Sequence, residues 1–218
     1  MRILNMIALL AMVIGFSWWV LYEEHQKNTI YVDFQNGMLE WSAEGDDVEG
    51  IDTSYKGDTL QIRSAQPALL WYDRVMQQNY SVIRFTVEES DNNTGGIWGC
   101  IWAVGDNLQP PFSRNRHFPF LYGQSYILSF SPKSQKAYLF SPAANRTNSC
   151  ALQPDSANRY AVELRYEERK LTVSVNGQRI FTDDGIDTPP AGKFGIFLQN
   201  GRLQLSGLTF SRLPRKPQ

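Results

Sequence analysis

The sequence is poor in the residues from which most reactive sites are built. Among 218 residues it has two cysteines, Cys100 and Cys150, and two histidines, His25 and His117. There is no CxxC pair and no Cys/His cluster, so no zinc site is expected. A single loop histidine, His117, gives no Ser-His-Asp set. No dense Asp/Asn loop of the calcium-binding kind stands out, and no cofactor is expected. Charge of one sign is lacking too: 21 Lys and Arg stand against 22 Asp and Glu, a formal net charge of -1. Such a balance makes no global field for nucleic acid, and no nucleic-acid partner is expected. After Tyr22 no apolar pattern at helical spacing occurs, and no internal repeat is visible.

One long apolar run does occur. Ile3 to Tyr22 is broken only by Asn5, Gly15 and Ser17. Twenty helical residues at about 1.5 Å each span about 30 Å, the hydrocarbon thickness of a bilayer. Trp18, Trp19 and Tyr22 sit where an aromatic belt would lie, and Glu23 and Glu24 follow. Arg2 and the amino terminus precede the run, so the positive-inside rule puts the N-terminus in the cytoplasm and the remainder outside. The sequence therefore predicts a single-pass protein with a signal anchor over 1–22 and a polar stalk over 23–28. The rival reading is a cleaved signal peptide ending at Gly15-Phe16-Ser17. Both deliver the rest to the periplasm or cell exterior, with the lipid bilayer as partner for the anchor. Cys100 and Cys150 fit an oxidising compartment, as one disulfide or as two buried thiols. Asn79-Tyr80-Ser81, Asn92-Asn93-Thr94 and Asn145-Arg146-Thr147 match the glycosylation sequon.

From Thr29 onward the pattern is strand and turn. In Ser81 to Glu89, Ile83, Phe85 and Val87 share one face and Arg84, Thr86 and Glu88 the other, the period of a half-buried strand. Tyr160, Val162, Leu164 and Tyr166 alternate with Ala161, Glu163, Arg165 and Glu167; Leu171, Val173 and Val175 alternate with Thr172 and Ser174. Glu167-Glu168-Arg169 reads as a tight hairpin, and Asn176-Gly177 and Asn200-Gly201 as two more. Ser206-Gly207 reads as a β-bulge, because Leu208 and Phe210 fall out of phase with Leu203 and Leu205. Long connections are expected over 106–123 and 141–158. Many short strands with regular turns predict an all-β sandwich over 29–213, with a frayed tail over 214–218.

Three C-terminal segments carry a resemblance: Leu171-Thr172-Val173-Ser174-Val175-Asn176-Gly177, Ala191-Gly192-Lys193-Phe194-Gly195-Ile196 and Leu208-Thr209-Phe210-Ser211-Arg212-Leu213. With Tyr160 to Leu164 they resemble the closing hairpins of concanavalin A-like lectin/glucanase domains. That superfamily includes the laminin-G-like and 3-keto-disaccharide hydrolase-like groups. Gly95-Gly96-Ile97-Trp98-Gly99 is similar to its central strand. The resemblance implies a jelly roll of two antiparallel sheets that binds or cleaves glycans, or serves as an interaction module.

For cleavage, two carboxyl groups must flank the bond. Glu88-Glu89, Glu167-Glu168 and Asp183-Asp184 lie at strand ends, in a hairpin and in a loop. Glu163 is the one mid-strand carboxylate on a polar face, beside Arg165, so it is either a ligand contact or a salt-bridged pair. On Gly95 to Val104, Ile97, Ile101 and Ala103 share one face and Trp98, Cys100 and Trp102 the other. If the Ile face is core, Trp98 and Trp102 offer rings for a sugar to stack on; otherwise both Trp are core. Trp71, Tyr72, Asp106, Asn107, Arg114, Arg116 and His117 complete the expected ligand site. Three functions follow: a tethered module binding carbohydrate or an envelope protein, a glycoside hydrolase, or an assembly subunit of a membrane complex.

Overall fold

The structure is a computed structural model. It describes residues 10–19, 28–34, 40–45, 51–76, 81–89, 96–104, 125–141, 145–184, 186 and 192–212. The strands in chain order are β1 (Thr29–Tyr31), β2 (Trp41–Gly45), β3 (Asp52–Lys56), β4 (Thr59–Met76), β5 (Val82–Glu89), β6 (Ile97–Val104) and β7 (Tyr126–Ser131). They continue as β8 (Lys136–Ser141), β9 (Arg146–Ala151), β10 (Arg159–Glu167), β11 (Lys170–Val175), β12 (Gln178–Asp184) and β13 (Gly192–Ser211). All the pairings are antiparallel.

Two long strands organise the rest. β4 and β13 run side by side, from Ser206↔Thr59 to Phe194↔Tyr72 and beyond. The first half of β13 pairs with β6, from Lys193↔Val104 to Gln199↔Ile97. Its second half pairs with β5, from Leu203↔Glu89 to Ser211↔Val82. One sheet therefore runs β2-β4-β13-β6-β7-β8-β9, the other β3-β4-β13-β5-β10-β11-β12. Strands that cross between sheets form the corners of such packings.

The corner lies at Asn200 and Gly201, with φ 59° and 155°, where the register slips between Gln199 and Gly201. On β4 the Ser64 hydroxyl donates to the Gln66 carbonyl at 2.7 Å, just before Pro67. The expected hairpin at Asn200-Gly201 is thus corrected. The two residues bend one continuous strand, because β4 follows it around the corner. The other turns match the sequence reading. Asn176 and Gly177 (φ 51° and 76°) join β11 to β12, and Glu168 and Arg169 (φ 52° and 63°) join β10 to β11. Gly207, at φ 62°, forms the bulge.

The core fills the space between the sheets. Tyr72 stacks on Phe210 at 5.3 Å, Phe194 meets Phe210 and Phe85 edge-on, and Trp98 stacks on Phe130 at 4.1 Å. Each ring buried this way contributes about 1.5–3 kcal/mol. A smaller cluster lies on the opposite face of the first sheet: Leu69, Trp71, Ile101, Ile127 and Phe197, with Phe140 against it. β2, β3 and β9 lacked an alternating apolar signal; β9, Arg146 to Ala151, alternates only between exposed and half-buried positions.

The expected disulfide is corrected. Cys100 and Cys150 are free thiols. Cys100 lies on β6 and Cys150 on β9, with β7 and β8 between them. Three strand spacings put them roughly 14 Å apart, beyond the Cα reach of about 7 Å for a disulfide. Of the apolar run, residues 10–19 are described, and they are helical. No helix among the described residues is long and apolar enough to cross a membrane, so a full-length spanning helix is not what they show. The rest of the run lies outside the described residues.

Gly195 sits where the two long strands approach Trp71. A Cβ there would meet Trp71 Cε3 at 2.7 Å and Leu69 Cδ1 at 2.9 Å. Gly195→Ala should therefore lower stability by about 1–3 kcal/mol, read as a lower denaturant midpoint at unchanged slope.

Candidate functional site

The outward-facing residues of the second sheet are mostly polar, and among the described residues no layer covers them, while their strand neighbours fill the core. Antiparallel pairing places five of them in one line across five strands. Thr209 on β13 is opposite Arg84 on β5, Arg84 is opposite Glu163 on β10, Glu163 is opposite Ser174 on β11, and Ser174 is opposite Arg179 on β12. At about 4.8 Å per strand the line is roughly 19 Å long.

Beside it the surface is hollow. A groove of about 550 Å³ is lined by Arg84, Thr86, Ala161, Glu163, Ser174 and Thr209, with Gly177 and Gly207 at its borders. The hollow has a simple origin. Ala161 stops at Cβ, and a Cβ added at Gly177 or Gly207 would meet nothing within 4 Å. The hairpin turn and the bulge thus leave space, and Arg84 and Glu163 are the long side chains of its lining.

Glu163 is held from two directions. Arg84 Nε donates to its Oε2 at 2.6 Å and Arg165 Nε to its Oε1 at 2.9 Å. Partial burial works against its charge, but the hydrogen bonds and charges of the two arginines win, so its carboxyl lies below the usual carboxylate range. With the side chains 28–44% exposed, these pairs add little to stability. Their effect is to fix the positions of one acceptor and two donors.

This carboxylate is unsuited to act as a general acid, which needs a raised pKa. Glu88, on the same face, is opposite Arg159, four residues along β10 from Glu163. That is about 13 Å along the strand, wider than the roughly 5–9.5 Å between glycosidase carboxyl pairs. Among the described residues no group of three His, Cys, Asp or Glu could hold a metal ion.

The aromatic part of the expected site is corrected. Trp98 and Trp102 are 2% and 3% exposed and face the inter-sheet core with Cys100 between them. Trp102 stacks on Tyr126. Tyr72 is buried in the same core, its hydroxyl donating to Glu40 at 3.1 Å. Trp71 is buried in the smaller cluster, and its Nε1 donates to Glu44 at 2.6 Å. Both faces of β6 are covered around Ile101 and Trp102, so neither presents a ring to solvent. Asp106, Asn107, Arg114, Arg116 and His117 lie outside the described residues. Of the expected ligand residues that are described, Glu163 is the one on the groove. Arg84, Thr86, Ser174 and Thr209 on the groove, and Arg179 beyond its lining at the end of the row, were not expected. Alternation put Arg84, Thr86 and Glu163 on polar faces, but not next to one another.

A second carboxyl lies at the rim of the core. Trp98 Nε1 donates to Glu89 Oε1 at 2.7 Å. Burial pushes the Glu89 carboxyl up, and the hydrogen bond from Trp98 only partly offsets this. Tyr160, edge-on to Trp98 at 5.4 Å, is pushed up to about 12 by burial and by the Glu89 charge.

At the level of sequence, no known family pattern and no curated protein matches the chain. Solved structures do match its fold. The carbohydrate-binding module CBM66 from Bacillus subtilis superposes with a TM-score of 0.55 at 12% identity, over 79% of this chain and 96% of that one. The Bacillus licheniformis β-glucanase superposes with a TM-score of 0.59 at 12% identity, over 86% and 99%. A Bacillus subtilis protein of unknown function with a galectin-like fold gives 0.59 at 17% identity, over 84% and 94%. The chain has the concanavalin A-like jelly-roll fold, as its C-terminal hairpins suggested.

Because the Glu89 pKa is raised by folding, its stabilising contribution is full below the ordinary value of 4.5. It is lost as pH rises through the folded value. Glu89→Gln keeps an acceptor for Trp98 and removes the buried charge. It should raise Tm by about 1–3 °C at neutral pH, and the gap should close below pH 4.5; thermal unfolding across pH checks this.

Proposed function

We propose that this chain is a glycan-binding jelly-roll module, held outside the cytoplasm by its apolar N-terminal stretch. The observation that carries the binding reading is the groove beside the Thr209–Arg84–Glu163–Ser174–Arg179 row. A saccharide is a dense array of hydroxyls on a ring, and this surface has fixed donors, a fixed acceptor and adaptable hydroxyls around a floor of small residues. Glu163 accepts from sugar hydroxyls, Arg84 donates, and Thr86, Ser174 and Thr209 do either. Because both arginines already hold Glu163, little ordering is lost when a sugar docks. The fold is shared with a carbohydrate-binding module and a β-glucanase. Among the described residues the groove carries one carboxylate, held below the usual carboxylate range, which favours binding over hydrolysis.

The anchoring half rests on the N-terminal run. In the described helix Leu10, Met12, Val13, Ile14, Phe16, Trp18 and Trp19 are all more than half exposed. A helix apolar all round needs apolar surroundings on every side, which a bilayer supplies. The full chain should sediment with membranes, and its domain should be cleaved by protease added from outside intact cells. A version starting after Tyr22 should be released as free protein. Recovery of the full chain in the cytosol would reject the anchor.

Binding is tested by calorimetric titration with a panel of oligosaccharides. Glu163→Ala removes the fixed acceptor and should weaken binding about 10-fold or more. Ala161→Trp fills the groove floor from an exposed position and should abolish binding at unchanged Tm. Affinity unaltered in both variants would place any glycan elsewhere and reject this site.

A further inference from the structure

We infer that the groove selects glycans bearing an acidic group, a carboxylate or sulfate, read by guanidinium groups at two points of the row. This rests on the glycan-binding reading and adds the ligand's charge. Arg84 and Arg165 both bond Glu163 through Nε. That geometry uses the edge of each guanidinium; among the described residues the Nη groups of Arg84 have no ion pair, and Arg165 Nη1 has Glu167 at 3.9 Å. A planar fork of N–H donors is the group best suited to bind an oxyanion through two hydrogen bonds.

Three strand spacings away in the same line stands Arg179, exposed and opposite Ser174. It has no ion pair among the described residues, and the same holds for Arg63 and Arg202 on this face of β4 and β13. The neighbouring ions are already matched: Lys170 with Asp184, and Arg159 with Asp155. The row holds two arginines and one carboxylate, and Arg165 beside it is matched by Glu167, so the row carries one net positive charge on a chain whose net charge is -1.

Donors also outnumber acceptors. Each arginine carries five N–H groups, whereas Glu163 has one lone pair left on each oxygen after its two bonds. A neutral sugar can accept these N–H groups only one at a time, through uncharged hydroxyl and ring oxygens. A carboxylate or sulfate accepts two from one guanidinium fork, as charge-assisted bonds about twice as strong. No exposed aromatic ring lies among the described lining residues, so recognition there falls to these polar groups.

The test is titration of the full chain, solubilised in mild detergent, with two acidic probes and their uncharged forms. Oligogalacturonides are compared with the same oligomers fully methyl-esterified, and a sulfated oligosaccharide with its desulfated form. At least one acid should bind about 10-fold or more tightly than its neutral form, and the difference should shrink in high salt. Arg84→Gln and Arg179→Gln should each remove most of it, at unchanged Tm because both side chains are exposed. The arm that responds tells carboxylate from sulfate. Equal affinity for acid and neutral forms, or full retention in both variants, would overturn the inference while leaving a glycan module intact. Binding confined to neutral glycans would do the same. Binding to no saccharide at all would bring down the glycan reading and this one with it.

Discussion

The ladder between β4 and β13 is the interaction on which the rest of the molecule depends. Each strand runs the full length of the domain, and the pair turns the corner between sheets together. Because β13 pairs with β6 before the corner and β5 after it, one strand seeds both sheets. The two sheets cannot slide against each other without breaking this ribbon. The aromatic core then fixes their spacing, with Tyr72 of β4 stacked on Phe210 of β13 at its centre. Close approach on the other face, where Gly195 passes Trp71, depends on the same ribbon.

The groove follows from that constraint. β5 takes its register from β13, β10 from β5, β11 from β10 and β12 from β11. A slip of one residue at any of these pairings would turn the outward set inward. The inward residues on these strands, such as Phe85, Val162, Leu164 and Val173, are buried, so the slip is opposed at each step by the loss of apolar burial. The row of polar side chains is therefore held by the core beneath it. Its own ion pairs, part-exposed and worth little, do not hold it. Stability and recognition are carried by opposite faces of the same strands, which leaves the outer face free to change without harm to the fold.

The hollow has a different origin, in irregularities of the sheet. Gly207 in the bulge and Gly177 in the turn flank the row and put no side chain beside it. Asn176 also clamps the end of β10. Its Oδ1 accepts from the Ala161 amide at 2.8 Å and its backbone amide donates to the Ala161 carbonyl at 2.8 Å. The turn that closes the β11–β12 hairpin thus also positions the groove floor at Ala161. Features that would count as defects in an ideal sheet are what give this face its concavity.

What the sequence alone determined is whatever depends on nearest neighbours along the chain. Alternation in 81–89, 160–166 and 171–175 is a property of the extended backbone, and it sorted inward from outward residues correctly. Positive-φ residues at Asn176-Gly177 and the phase break at Ser206-Gly207 were likewise legible. Tertiary structure decided everything that depends on lateral neighbours. Arg84 and Glu163 are 79 residues apart in the chain, and no local pattern states that their strands pair. The same holds for Asn200-Gly201, a turn by its residues but a bend because β4 accompanies it. It holds for Trp98 and Trp102, whose face of β6 is core only because the second sheet lies against it. Side-chain direction is set by the backbone of one strand, whereas what that side chain meets is set by which distant strand comes to rest beside it.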